Sequence, residues 1–189
     1  AWFWMTVYLA CGSLIAYLFA GEITDGQRQR SVLLHRLSRG RVLGTKFVAA
    51  LLVSVLFGLV AAALAWLTPP IALSLFGLDT AGAGVDPEIV AGVLGVNILA
   101  GVWGFALGVL LRNPVVAVGL FAVQTLLLET YGAKAVPEVG KYLLTSVLGS
   151  LYKDPSPLSM AVLPALGIAL AWVGVATVGA VGTFRTRDV

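Results

Sequence analysis

Long runs of apolar residues, separated by short polar segments, constrain this chain more than any other feature. About 20 helical residues cross the hydrocarbon core of a bilayer, and there the backbone has to satisfy its own hydrogen bonds. With 59% hydrophobic and 11% charged residues, the chain lacks the polar residues that cover a water-soluble fold. Five runs reach or approach the spanning length: 1–20, 47–68, 89–111, 115–130 and 159–184. The sequence therefore predicts an all-α, polytopic helical membrane protein with a single transmembrane domain over residues 1–189.

Residues at the ends of these runs predict helix boundaries. Pro69 and Pro70 are expected to stop the second helix, because proline lacks an amide donor and clashes with the preceding turn. Asp86-Pro87-Glu88 is typical of a helix start, with Asp86 as the N-cap and Pro87 in the first turn. Arg112-Asn113-Pro114 predicts a tight turn between the third and fourth spans.

The distribution of Lys and Arg predicts the orientation of the spans. Six of the 12 basic residues lie in the segment 21–46. Alternation of the spans places the Arg112 turn and the C-terminal Arg185 and Arg187 on the same side. The opposite side holds only Lys134, Lys141 and Lys153. This clustering beside membrane spans also accounts for the basic pI without a nucleic-acid partner.

By the positive-inside rule, the more basic side faces the cytoplasm. The segment 21–46 and the C-terminus are then cytoplasmic, and the loops 69–88 and 131–158 are external. The protein is expected to be a multi-pass protein of the plasma (inner) membrane in a prokaryotic-type cell. Ala1 would begin on the external side, so one further helix before it, entering from the cytoplasm, is expected to bring the total to six.

Further segments are amphipathic but too short to span. In the cytoplasmic loop 21–46, a group of apolar residues lies among arginines, which predicts a short helix on the membrane surface. In 140–152 the apolar residues share one helical stripe: Leu143, Leu144, Val147, Leu148 and Leu151. That stripe predicts an external interfacial or re-entrant helix. The segment 71–78 is expected to lie on the outer surface in the same manner.

Motifs in order along the chain resemble those of the permease subunits of ABC-2 type transporters. In that family a glutamate follows the second transmembrane helix, a Pro-Val-Ser-Arg-like tetrapeptide comes next, and a lysine precedes the third helix. The matching residues are Glu22, Leu37-Ser38-Arg39 and Lys46, with Arg36 where proline is common. The family's Leu-Arg-Asn-Pro linker is matched by 111–114, and its Phe-x-x-Arg-Asp ending by 184–188.

The resemblance implies a permease that pairs with itself or with a related permease, binds a separate cytoplasmic ABC ATPase, and exports its cargo. ATP and Mg would be held by that partner, with no cofactor or metal site in this chain. The loop 21–46 would act as the coupling helix that receives the motion of the ATPase. Glu22 is expected to pair with an arginine at the membrane boundary. The expected coupling residues are Glu22, Arg28, Arg30, Leu33, Leu34, Arg36, Leu37, Ser38, Arg39 and Arg41.

A small number of polar residues lie within the spans. Asn97 and Gln124 fit either a substrate path or hydrogen bonds between helices. Glu129, a further candidate for the path, is expected near an outer end at headgroup level. Gly104 and Gly108 form a Gly-x-x-x-Gly step, which predicts close helix packing within the bundle or across a dimer.

The sequence contains no ATP-binding fingerprint, because the nearest string, 40–46, lacks the P-loop spacing. Its single histidine, His35, has no second histidine or cysteine nearby for a metal. Energy for transport must then come from a partner chain or an ion gradient. Two further hypotheses stay open: an ATP-independent carrier, which needs a charged residue or broken helix at mid-membrane, and a scaffold subunit that transports nothing.

Overall fold

A computed structural model describes residues 2–24, 39–79 and 84–186 of the chain. The secondary structure of these residues is helical, with no strand among them. The elements are α1 (Trp2–Thr24), α2 (Arg39–Leu75), α3 (Pro87–Leu111), α4 (Pro114–Val123), a π-helical segment (Gln124–Glu129), α5 (Thr130–Ala135), α6 (Pro137–Gly140), α7 (Leu144–Leu151) and α8 (Val162–Thr186). The prediction of an all-α protein is confirmed.

Within these residues, four helical stretches are long and apolar enough to cross a membrane. They are Gly40–Leu75, Pro87–Leu111, Pro114–Ala135 and Val162–Phe184. They correspond to the second to fifth predicted spans. α1 contributes a shorter apolar stretch, Val7–Glu22.

α2 differs most from its prediction. We expected the helix to stop at Pro69 and Pro70, but it continues through both to Leu75. The prediction was wrong because a proline pair removes only two amide donors. Helices in membranes absorb that loss through neighbouring hydroxyl groups and small backbone adjustments.

A glycine, not the proline pair, ends α2. Gly77 adopts a left-handed φ of 66°, which costs a residue without Cβ very little. The amide of Leu78 then donates to Leu73 O at 2.9 Å, as in a Schellman motif. We expected the segment 71–78 to lie on the outer surface as a separate piece; its first five residues, 71–75, are instead the last part of α2.

α3 is the central helix of the bundle. Its predicted start is confirmed, because Asp86 Oδ1 accepts from Glu88 N at 2.9 Å and Pro87 occupies the first turn. In the most apolar stretch of α3, 78% of the residues are buried, against 28% in α2 and 17% in α8. α1, α2 and α8 pack against it. The apolar outer faces of those helices are left for lipid.

The fourth span is a helix with an irregular middle. Asn113 caps its start, since Oδ1 accepts from the amides of Val115 at 3.0 Å and Val116 at 3.1 Å. Arg112 has a left-handed φ of 54°, so the predicted tight turn is present. Beyond α4 the helix widens into the π-helical segment and resumes as α5. The span therefore runs to Ala135 rather than to the predicted end at 130.

The segment 140–152, predicted to contain a short amphipathic helix, includes α7. Its apolar stripe faces protein: Leu144, Val147, Leu148 and Leu151 are buried. The neighbouring elements are α3, α8 and the π-helical segment. Of the two predicted forms, the burial fits a helix that folds back onto the bundle better than one whose stripe rests on lipid.

Candidate functional site

An ion pair joins the two ends of the predicted coupling loop. Glu22, near the end of α1, and Lys46, two turns into α2, form a salt bridge between Oε2 and Nζ. The Lys46 side chain is 25% exposed and that of Glu22 is 43% exposed. We expected an arginine as the partner of Glu22; in the described residues its partner is Lys46. Both residues are among those that carry the family resemblance.

Most of the predicted coupling residues cannot be placed relative to this pair. Arg28, Arg30, Leu33, Leu34, Arg36, Leu37 and Ser38 lie outside the described residues, as does the surface helix predicted across them. Arg39 is the first residue of α2, and Arg41 is exposed on that helix. The end of the predicted loop, 39–46, is therefore a helical extension of α2, about 12 Å long at 1.5 Å per residue.

Glu129 is buried inside the protein. We expected it near an outer end of the span at headgroup level; in the structure the residue is 5% exposed, so other protein groups surround its carboxylate. Oε1 accepts from Gln124 Nε2 at 2.7 Å, and Oε2 accepts from the backbone amide of Thr145. The carboxylate is enclosed because α7 packs against the π-helical segment. That packing places the backbone amide of Thr145 beside the carboxylate.

Hydroxyl groups complete a polar cluster around Glu129. Tyr8 OH lies 3.3 Å from Thr145 Oγ1 and also hydrogen bonds to Thr125; Tyr8 and Thr125 are both buried. This cluster was not predicted from the sequence, since its members come from three separate elements: α1, the π-helical segment and α7. A π-helical turn is itself frequent at functional sites. No lysine or arginine pairs with Glu129 within 2–24, 39–79 or 84–186.

Asn97, the other residue proposed for a substrate path, has different hydrogen-bond partners from this cluster. It is 2% exposed, where α1 and α2 pack on α3. Its Nδ2 donates to Val93 O at 2.9 Å, and Cys11 Sγ donates to its backbone oxygen at 3.6 Å. Asn97 Oδ1 has no hydrogen-bond partner in the described part of the chain. Of the three residues proposed for the path, only Gln124 and Glu129 are joined by a hydrogen bond in the described residues.

The Gly-x-x-x-Gly step brings α3 against α1. A Cβ atom added at Gly104 would overlap the carbonyl oxygen of Gly12 and lie 2.9 Å from its carbonyl carbon. A Cβ atom at Gly108 would lie 2.9 Å from Ala16 O. Only a residue without a side chain permits this approach. In this chain, both glycines serve packing inside one subunit.

At the opposite end of the bundle, charges from the two loops predicted to be external meet. Lys153 Nζ lies 2.7 Å from Asp86 Oδ2 and 2.6 Å from Glu88 Oε2. The hydrogen bond from Lys153 and the amide of Glu88 lower the pKa of Asp86. Hydrogen bonds to Asp86 and Glu88 raise the pKa of Lys153. The cluster ties the start of α3 to the segment that follows α7.

The charged and polar groups described above lie in separate places in the bundle. The described residues contain no group of three or more His, Cys, Asp and Glu side chains able to hold a metal ion. The Glu22–Lys46 ion pair lies at one end of the bundle and joins the end of α1 to the start of α2. The buried carboxylate of Glu129 lies in the π-helical segment of the fourth span. Comparison of the chain with protein-family models, with curated proteins and with solved structures found no match.

Proposed function

We propose that this chain is the membrane-spanning permease subunit of an ATP-binding cassette exporter. It would form the substrate pathway as a dimer, with itself or a related permease, and be driven by a separate cytoplasmic ATPase. The ordered sequence motifs motivate the proposal. The observation that carries it is the Glu22–Lys46 ion pair, which joins the two ends of the arginine-rich segment.

The ion pair and α2 together suit the transmission of force. A push on a loop with free ends is absorbed by the loop, whereas here the ends are held to each other. α2 continues without interruption from Arg39 to Leu75, 37 residues, or about 55 Å. A displacement at its first turns is therefore carried along the whole helix. α1 and α2 both pack on α3, so that displacement would reach the central helix from two sides.

The first test is whether an ABC ATPase is encoded beside this gene; the second is co-purification of the two proteins, followed by measurement of ATP hydrolysis in liposomes. Alanine at Arg36 and Arg39 should abolish the association. Alanine at Lys134 and Lys141, on the opposite side of the predicted topology, is the matched control and should leave it intact. If the arginine variant retained the ATPase as well as the control does, the coupling assignment would be wrong.

Charge reversal tests the role of the ion pair separately. Glu22→Lys and Lys46→Glu should each reduce ATPase-driven transport while leaving ATPase binding in place, because the loop remains but its ends are no longer joined. The double reversal should recover transport. Equal transport activity in the wild type, the two single variants and the double variant would show that the Glu22–Lys46 pair has no mechanical role.

One observation favours a second candidate, an ATP-independent carrier. Such carriers use ionisable residues inside the membrane, and Glu129 is a buried ionisable residue in the π-helical part of an apolar helix that is long enough to span one. Under this alternative, proteoliposomes without ATP should show flux driven by a pH gradient. Glu129→Gln should abolish that flux. Flux that requires ATP, and survives this substitution, would exclude the carrier.

A further inference from the structure

An apolar cavity of about 260 Å³ opens between the first turns of α2, the inner part of α3 and the end of α8. Its lining includes Leu43, Gly44, Phe47, Phe105, Val181 and Phe184. One wall is rigid, because Phe105 is 2% exposed and packs edge-on against Phe19 and Phe47 at ring distances of 5.0 and 5.5 Å. Thr177 also lines the cavity, and its hydroxyl already donates to Val173 O at 2.7 Å. The lining therefore favours a hydrocarbon occupant.

Protein atoms leave this space open at two glycines. Within the described residues, a Cβ atom added at Gly40 or at Gly44 would meet no heavy atom within 4 Å. At Gly104, by contrast, the backbone of a neighbouring helix occupies the corresponding space. Packing between the described helices therefore does not explain Gly40 and Gly44.

A second groove, of about 630 Å³, lies on the other side of Gly44 around α2. Its lining follows the helix from Arg41 and Thr45 to Val48 and Leu52. Along the helix axis the side chains that line the groove therefore change from cationic, at Arg41, to a hydroxyl group, at Thr45, and then to apolar, at Val48 and Leu52. A phospholipid shows the same order from its phosphate to its acyl chains. Gly44 lines both the groove and the cavity.

The charge of Arg41 is available to a ligand. The side chain is exposed, and no acidic residue pairs with it among those that the structure describes. A guanidinium group binds a phosphate group through two parallel hydrogen bonds. Arg41 lies about 9 Å along the helix axis from Phe47, at 1.5 Å per residue. A phosphate at Arg41 would thus place the acyl chains at the level of the cavity.

We propose that this end of α2 is a binding site for a membrane phospholipid. The phosphate lies on Arg41. The two acyl chains straddle the helix at Gly44, one in the cavity between α2, α3 and α8 and the other along Val48 and Leu52. The site is independent of the proposed transport function, since it would exist in a permease, a carrier or a scaffold alike.

The experiment uses the full chain reconstituted in vesicles of phosphatidylcholine with a minor fraction of phosphatidylglycerol that carries a diazirine in one acyl chain. After illumination, the labelled peptides are mapped by mass spectrometry. Labelling should concentrate in 43–52 of α2 and in 177–184 of α8. Labelling spread evenly over all lipid-facing helices would overturn the proposal.

Gly44→Leu should fill the cavity and reduce the labelling of 177–184 by about tenfold, the equivalent of excluding roughly two methylene groups. Gly119→Leu is the matched control: this glycine is exposed on α4, away from the cavity, and also has no atom within 4 Å of an added Cβ. Gly40→Leu is a second filling variant in case Gly44→Leu yields no monodisperse protein. Wild-type labelling in a filling variant would refute the acyl-chain assignment.

The phosphate is tested with a diacylglycerol probe that carries the same diazirine. The wild-type protein should label several-fold more strongly with phosphatidylglycerol than with diacylglycerol. Arg41→Gln should remove that difference without changing the position of the label. Equal labelling by both probes in the wild type would overturn the assignment of the phosphate to Arg41.

Discussion

Replacing Gly104 by alanine should push α1 away from α3. The added Cβ would overlap the carbonyl oxygen of Gly12 and lie 2.9 Å from its carbonyl carbon and 3.0 Å from its Cα. Carbon atoms in contact are normally about 3.5–4.0 Å apart, so the two helices have to separate by roughly 1 Å. All three obstructing atoms belong to the backbone. No change of rotamer can relieve the overlap, and the whole contact between α1 and α3 has to adjust.

The expected cost follows from this rigidity. Adding one carbon to a well-packed interior destabilises by about 1–3 kcal/mol, and a backbone obstruction belongs at the upper end of that range. For a chain of this size, each kcal/mol shifts Tm by about 2–4 °C. Gly104→Ala should therefore lower Tm by about 6–12 °C.

The assay is thermal unfolding in detergent, followed by the loss of the monodisperse peak in size-exclusion chromatography. Gly119→Ala is the control, because an added Cβ there meets nothing within 4 Å and alanine is the better helix former. Its Tm should equal or exceed that of the wild type. If Gly104→Ala and Gly119→Ala unfolded within 2 °C of each other, a margin of about 1 kcal/mol, the close approach of α1 and α3 would be refuted.

Reversal of both charges in the Glu22–Lys46 pair should restore the stability that either single reversal loses. A double-mutant cycle on Tm should give a coupling energy of about 0.2–1 kcal/mol, as for other partly exposed ion pairs. Strictly additive effects of the two substitutions would contradict an interaction between Glu22 and Lys46. The lowered pKa of Asp86 means that its contact with Lys153 contributes stability above about pH 4, the ordinary value, and loses it as the pH falls through the lower folded value. Asp86→Asn should remove this dependence from a profile of Tm against pH, and an unchanged profile would argue against the contact. Glu129→Ala should destabilise the protein by about 1–3 kcal/mol more than Glu129→Gln, because glutamine keeps an acceptor for the backbone amide of Thr145. Equal hydrogen exchange at the Thr145 amide in the two variants would count against that bond.

Several local features were predictable because their causes lie within one helical turn. The Asp86-Pro87-Glu88 start and the Arg112 turn depend on the chemistry of adjacent residues, and both are present. The end of α2 also depends on nearby residues, but we predicted it from the proline pair rather than from the glycine that follows. Gly77, with its left-handed φ of 66°, marks the end that we assigned to the proline pair.

The candidate site was less accessible to sequence reasoning. Glu129 was recognised as a polar residue near the end of a span, yet its burial depends on Thr145, 16 residues later, and on Tyr8 in another helix. Asn97 meets Cys11 across 86 residues. The hydropathy pattern along the chain does not show which residues far apart in the sequence come into contact.

The sequence by itself determined that this protein is helical and apolar enough for a membrane, because apolar runs, prolines, glycines and N-cap residues act on their own segment of backbone. Only the tertiary structure decided that α3 is central, that Glu22 meets Lys46, and that Glu129 is enclosed. Those outcomes depend on which helix faces pack together. Packing is decided by the fit of shapes and hydrogen-bonding groups from distant parts of the chain, which no single run of residues contains.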